Sequence, residues 1–184
     1  YKRRVGYVPS ESDVYFHLSG AEYLTLVGRL GRMPEDLLHE RIDYLMVLLG
    51  MGVETQLPMS SYSRETRQKI MLAAAMLHEP EILVLDESFS GLDDTEMKSM
   101  KIILDQIAGM GMMVIYCSRT VDAIEAFCSR VVVIDNGEVV AEDTVEHLDL
   151  MRTLPTLEPV FNDNIHSETS VDIPSFPVLA MRVV

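Results

Sequence analysis

Residues 81–93 read Glu81-Ile-Leu-Val-Leu-Asp-Glu-Ser-Phe-Ser-Gly-Leu-Asp93, an apolar run that ends on two acids and then turns through a glycine. Ile82, Leu83, Val84 and Leu85 are too uniformly apolar to alternate. That pattern predicts a strand buried on both faces of a parallel sheet, with Asp86 and Glu87 emerging at its carboxyl end. Ligands of open α/β sheets collect at that end. A carboxylate there can hold Mg²⁺, usually through water because the ion dehydrates reluctantly, and a second carboxylate can polarise an attacking water. The alternative is a strand whose acids merely begin a solvated turn, and the stretch alone leaves both readings open.

Its surroundings narrow the choice. Upstream, Tyr62-Ser-Arg-Glu-Thr-Arg-Gln-Lys69 opens a helical pattern that reaches His78, and Glu79-Pro80 breaks it before the strand. The order Ser-x-x-x-Arg-Gln-Lys, helix, x-Pro, buried strand, Asp-Glu, Ser-Gly-Leu-Asp resembles the ATP-binding cassette (ABC) ATPase family across its signature, Walker B and D-loop motifs. The resemblance extends over residues 4–148. It implies an α/β fold of the P-loop NTPase type, a parallel sheet flanked by helices with an added α-helical subdomain, incomplete at the N-terminus. On this pattern residues 1–18 and 79–149 belong to the catalytic core, residues 19–78 form the helical subdomain with the signature motif, and 150–184 make an irregular tail.

Composition agrees with a globular domain. The chain has 184 residues, 48% hydrophobic and 24% charged, enough for one sizeable core. No apolar run approaches the roughly 20 residues of a membrane span, so a membrane role is expected only through a partner. The start, Tyr1-Lys-Arg-Arg, is followed by no apolar segment of the kind a signal peptide needs. Fifteen basic against 29 acidic residues give a net charge of −14, and Arg3, Arg4, Arg29 and Arg32 form no patch, which argues against a nucleic-acid partner. Cys117 and Cys128 lie in apolar surroundings and are expected to be buried reduced thiols of a cytosolic protein. The five histidines are dispersed and suggest no metal cluster.

Arg4-Val-Gly-Tyr-Val-Pro-Ser-Glu11 reads as a short strand stopped by Pro9. In the family the Q-loop follows such a strand and couples the metal and water to the transporter partner, and its glutamine position falls on Ser10. Ser19 with Glu22 makes a capping box for a first helix. A second helix from Pro34 carries Leu37, Leu38, Ile42, Leu45, Met46, Leu48 and Leu49 as a wide apolar stripe. In the signature motif Ser63 matches, whereas Arg64 and Glu65 stand where the family has two glycines, which normally let backbone N–H groups approach a phosphate. Arg64 either reaches the phosphate itself or obstructs it, and Glu65 is expected to repel it. The resemblance gives Asp86 to Mg²⁺, Glu87 to the attacking water and Asp93, in the D-loop, to the facing subunit. Asp94 to about residue 108 is predicted to be helical, and Met112 to Cys117 a second buried strand. The switch histidine falls on Arg119, a permanent forked cation that either stabilises phosphate charge or pairs with Glu87 and quiets the site. Asn136-Gly137 marks a hairpin.

Gly-x-x-x-x-Gly-Lys-Ser/Thr occurs nowhere in the 184 residues. In the family that loop precedes the strand of Tyr7, so the chain as given is expected not to hydrolyse ATP alone and to leave an unfilled slot in its sheet. Two functional readings stand. One is an ATP-hydrolysing subunit portion of an exporter-like ABC transporter, using ATP and Mg²⁺, paired with a second nucleotide-binding subunit and a membrane-spanning subunit at the cytoplasmic face of the cell membrane. The other is a degenerate cassette kept for dimerisation or regulation. Ser10, Arg64, Glu65 and Arg119 favour the second, and Asp86, Glu87 and Asp93 the first.

Overall fold

The computed structural model describes residues 2–10, 15–118, 121–135, 137–147 and 178–182. The chain divides into two compact units, Tyr1–Val114 and Ile115–Val183.

In the first unit β1 (Val5–Val8) pairs in parallel with β2 (Ile82–Asp86), in the register Val5 to Ile82 through Val8 to Leu85. Leu83 and Leu85 are fully buried, while Ile82 and Val84 are half-buried. The strand is therefore closed on one face and partly open on the other, not sealed on both as its composition predicts. Arg4 and Glu81 lock the starts of the two strands: Arg4 Nε donates to Glu81 Oε1 at 2.7 Å, and Glu81 N to the Arg4 carbonyl at 3.0 Å.

A parallel pair needs a long crossover. It is supplied by α1 (Gly20–Leu30), α2 (Glu35–Leu48) and α3 (Arg64–Met76). The predicted capping box is present, Ser19 Oγ accepting from Glu22 N and Glu22 Oε2 accepting from Ser19 N. Along α2 only the i, i+4, i+7 line of Leu38, Ile42 and Leu45, continued by Leu49, is buried, whereas Val47 is 82% exposed and Leu37 49%. The expected wide stripe is thus one narrow face, because residues off the 3.6-residue period point elsewhere. Two glycines set the packing distances. A methyl group on Gly28 would lie 2.2 Å from Leu38 Cδ1, and one on Gly6 would lie 2.4 Å from the Ala75 carbonyl oxygen, so α1 meets α2, and α3 meets β1, with no room for a side chain. Helix α3 stops at Met76, two residues before the predicted end, and Glu79 turns through φ +53 into Pro80.

After β2 the chain turns into α4 (Asp94–Gly109), which runs one residue past the predicted end; Gly111, at φ +89, reverses it. Strand β3 (Met113–Ser118) then begins, Met113 N donating to the Glu81 carbonyl at 3.0 Å.

The second unit holds the rest of β3, α5 (Val121–Phe127), β4 (Arg130–Asp135), β5 (Glu138–Thr144) and β6 (Val178–Arg182), with strand order β3-β6-β4-β5. The predicted hairpin is the β4–β5 antiparallel pair, turning at Gly137 with φ +84. Strand β6 pairs antiparallel with β4, Arg130 opposite Met181 and Val133 opposite Val178. It corrects one expectation: the tail is not wholly irregular, since a strand of it stands between β3 and β4 in the sheet order. Residues 150–177, expected to be irregular, lie outside the described residues. Ile124, Val131 and Val145 form a buried cluster in this unit, with Cys128 and Val133 against it. Cys117 and Cys128 are in no disulfide and are half-buried. Among the described residues no helix is long and apolar enough to cross a membrane.

Candidate active site

The parallel register of β1 and β2 does the first piece of assembly. Because Val8 stands opposite Leu85, Pro9 and Ser10 leave the sheet at the same edge as Asp86 and Glu87. Ser88, which is buried, fixes this edge by donating its Oγ to the Val8 carbonyl at 2.9 Å. Ser10 is exposed there and Asp86 and Glu87 are half-buried.

Tyr7, which the motif reading passed over, donates its hydroxyl to Asp86 Oδ2 at 2.8 Å. The signal was available in the alternation. Gly6 and Val8 are buried and Tyr7 is 54% exposed, so Tyr7 shares a face with Val84 opposite and Asp86 two residues on, a diagonal that a long phenol spans. The bond fixes one oxygen of the carboxylate.

Glu87 adopts φ +49. The left-handed region costs a non-glycine residue about 1–2 kcal/mol, and such strain persists where the surroundings over-determine it, commonly at functional sites. Here the turn is closed by Ser90 N donating to the Glu87 carbonyl at 3.1 Å, and is anchored by buried Phe89. Two adjacent carboxylates beside a serine hydroxyl make a hard oxygen donor set. That set fits Mg²⁺, which takes one or two carboxylates and completes its shell with water and phosphate oxygens. Among the described residues there is no group of three or more His, Cys, Asp or Glu that could hold a metal ion.

A second set of sequence-predicted residues gathers at α3 and the loop after β2. Ser63 caps α3, its Oγ accepting from Thr66 N at 3.1 Å. Arg64 is exposed and its guanidinium lies against Gly91, itself at φ +78. Glu65 does not stand as a lone negative charge: Lys69 Nζ is 2.7 Å away and Ser99 Oγ donates to it at 2.9 Å. Burial pushes the Glu65 carboxyl up, but the bonds from Lys69 and Ser99 outweigh it and hold the group below the usual carboxylate range. Asp93 caps α4, Oδ1 accepting from Thr95 N at 2.8 Å and Glu96 N at 2.9 Å. Arg119 lies outside the described residues.

These features define an α/β domain with two acids at the carboxyl edge of a parallel strand pair. No family model matches the chain. Curated relatives do. The chain is 30% identical over 149 residues to an uncharacterized ABC transporter ATP-binding protein of Nostoc sp., an alignment covering 80% of this chain and 44% of that protein. It is 28% identical over 143 residues to the linearmycin resistance ATP-binding protein LnrL of Bacillus subtilis, covering 78% and 46%. The chain spans about half the length of these relatives. Among solved structures, cbiO1 of Clostridium perfringens, part of the ABC transporter complex cbiONQ, superposes with a TM-score of 0.73 at 20% identity, over 89% of this chain and 68% of that one. The chain belongs to the ABC transporter ATP-binding family and carries its P-loop NTPase fold.

Proposed function

We propose that this chain is the part of an ABC transporter ATP-binding subunit that carries the catalytic acids, the helical subdomain and the signature helix. The observation that carries the reading is the carboxyl edge of β1 and β2, where Ser10, Asp86 and Glu87 emerge together and Tyr7 orients Asp86. ATP with Mg²⁺ brings the phosphoanhydride to be cleaved. On the protein side, Asp86 would hold the metal, and Glu87 would orient the attacking water and take its proton. Ser63 and Arg64 face the nucleotide of a second such subunit, Asp93 lies at the same contact, and Arg119 adds cationic charge after β3. The name of LnrL, a resistance protein, supports an exporter. A membrane-spanning partner and the inner face of the cell membrane complete the setting.

The degenerate-cassette reading has its own support: Arg64 and Glu65, at the family's two glycine positions, are engaged with the chain's own Gly91 and Ser99. The two are separated by Mg²⁺-dependent binding of a fluorescent ATP analogue to the 184-residue chain, to Asp86→Asn and to Glu87→Gln. The catalytic reading expects the Mg²⁺-dependent part of binding to vanish in Asp86→Asn and to survive in Glu87→Gln. Binding with no Mg²⁺ dependence, or equal binding in Asp86→Asn, overturns it.

A further inference from the structure

The departures at 64 and 65 share a destination. A methyl group on Gly91 would lie 2.6 Å from Arg64 Nη1, 3.1 Å from Cζ and 3.7 Å from Nη2, so the flat guanidinium rests directly on the glycine. Glu65 reaches Ser99, on α4 just beyond the same turn. The requirement for a glycine that permits close approach is met at 91 rather than at 64, and what approaches is the chain's own arginine. The turn it covers is anchored at its start by buried Ser88 and Phe89 and carries the backbone bonds Ser90 N to the Glu87 carbonyl at 3.1 Å and Leu92 N to the Phe89 carbonyl at 3.3 Å, while Ser90 and Gly91, where the guanidinium sits, are exposed. A planar cation seated on that exposed part of the turn restricts it where burial does not.

We propose that Arg64 is a positioning residue: it presses the turn 88–92 toward the start of α3 and thereby holds Glu87 in its left-handed conformation. Its meaning for catalysis rests on the reading of Glu87 given above, whereas the contact itself does not.

The test is amide hydrogen exchange on the whole chain without nucleotide, comparing wild type with Arg64→Ala, Arg64→Lys, Gly91→Ala and the Arg64→Ala/Gly91→Ala double variant. Arg64→Ala is expected to speed exchange across 88–92 about two- to fivefold, the scale of one exposed charged contact, and to leave the amides of β2 and the middle of α4 unchanged. Arg64→Lys, which keeps the charge but not the planar fork, falls between. Gly91→Ala expels the guanidinium, so the double variant exchanges no faster than Gly91→Ala alone, the strain at φ +78 being common to both. An unchanged turn in Arg64→Ala, acceleration spread evenly through β2 and α4, or additive single effects each overturn the proposal. Repeating wild type with Mg²⁺ and ATP keeps the ideas apart. If nucleotide protects no segment, the ATP reading fails while the result on Arg64 stands.

Discussion

The close approach of α3 to β1 makes Gly6→Ala the most direct probe of how the site is held. A methyl group at residue 6 would sit 2.4 Å from the Ala75 carbonyl oxygen, 3.1 Å from the Ala75 carbonyl carbon and 3.1 Å from Pro80 Cγ. Ordinary contact begins near 3.4 Å, so about 1 Å must be found, and the obstructing atoms are helix backbone, which cannot swing aside as a side chain would. Overpacking of this kind costs about 1–3 kcal/mol. Restricting the unfolded chain returns about 0.4–1 kcal/mol. The net expectation is a loss of about 1–2 kcal/mol, which for a chain of this size lowers Tm by about 2–8 °C. Calorimetry or circular dichroism measures it, with Gly109→Ala as the control. Nothing lies within 4 Å of a methyl group at 109, in the last turn of α4, so that substitution is expected to be neutral or to stabilise by up to about 1 kcal/mol. If Gly6→Ala melts at or above the wild type, α3 does not sit on β1 as described, and the register that brings Ser10 beside Glu87 loses its support.

Four further outcomes follow from the same geometry. Tyr7→Phe removes the donor to Asp86 and is expected to weaken Mn²⁺, used as a stand-in for Mg²⁺ in the presence of ATP, by up to about tenfold, the low end for an outer-shell partner because the phenol is exposed. Equal Mn²⁺ affinity by spin-resonance titration would count against the orienting role. Glu87→Gly relieves the left-handed strain and should raise thermal stability by about 1 kcal/mol while removing the carboxylate, and a loss of stability would show that φ +49 is not strained there. Asp93→Ala takes the acceptor from two N–H groups and breaks the capping box with Glu96, so urea unfolding should show a loss of about 1–2 kcal/mol. Glu65 titrates below its ordinary value of 4.5 when folded, so its contribution is present above that pH and is lost as pH falls through the folded value. Glu65→Gln should therefore flatten the acid side of a Tm-against-pH curve, and an unchanged acid limb would refute the pairing.

Much of this was legible because it is local. The strand at 82–86, the cap at Ser19 and the hairpin at Gly137 each follow from residues within a few positions of one another, and all three are present, although the strand is sealed on one face only. What was not legible depends on partners far along the chain. The alternation around Tyr7 gives the face it lies on, but the carboxylate it meets is 79 residues on and follows only from the register of β1 against β2. Strand β6 was missed because Val178–Arg182 lies beyond a proline-containing stretch, and its pairing with β4 is set by a register rather than by a local signal. The wide apolar stripe of α2 was over-read, since composition alone does not say which leucines a neighbour covers.

The signature positions show why a residue type in a motif is a poor guide to its charge in the fold. From sequence, Glu65 is a repulsive acid and Arg64 a cation at a phosphate site, yet in the structure the acid is matched by Lys69 and Ser99 and the cation lies on Gly91. Only the Glu65–Lys69 pair, four residues apart on one helix, could have been anticipated. With both side chains engaged along the chain's own turn and α4, neither needs to stand over the amino end of α3, where Ser63 takes up Thr66 N and the partial positive charge of the helix end persists. The choice between a working and a degenerate cassette therefore turns on whether that backbone end remains open to an anion, and not on the loss of two glycines as such.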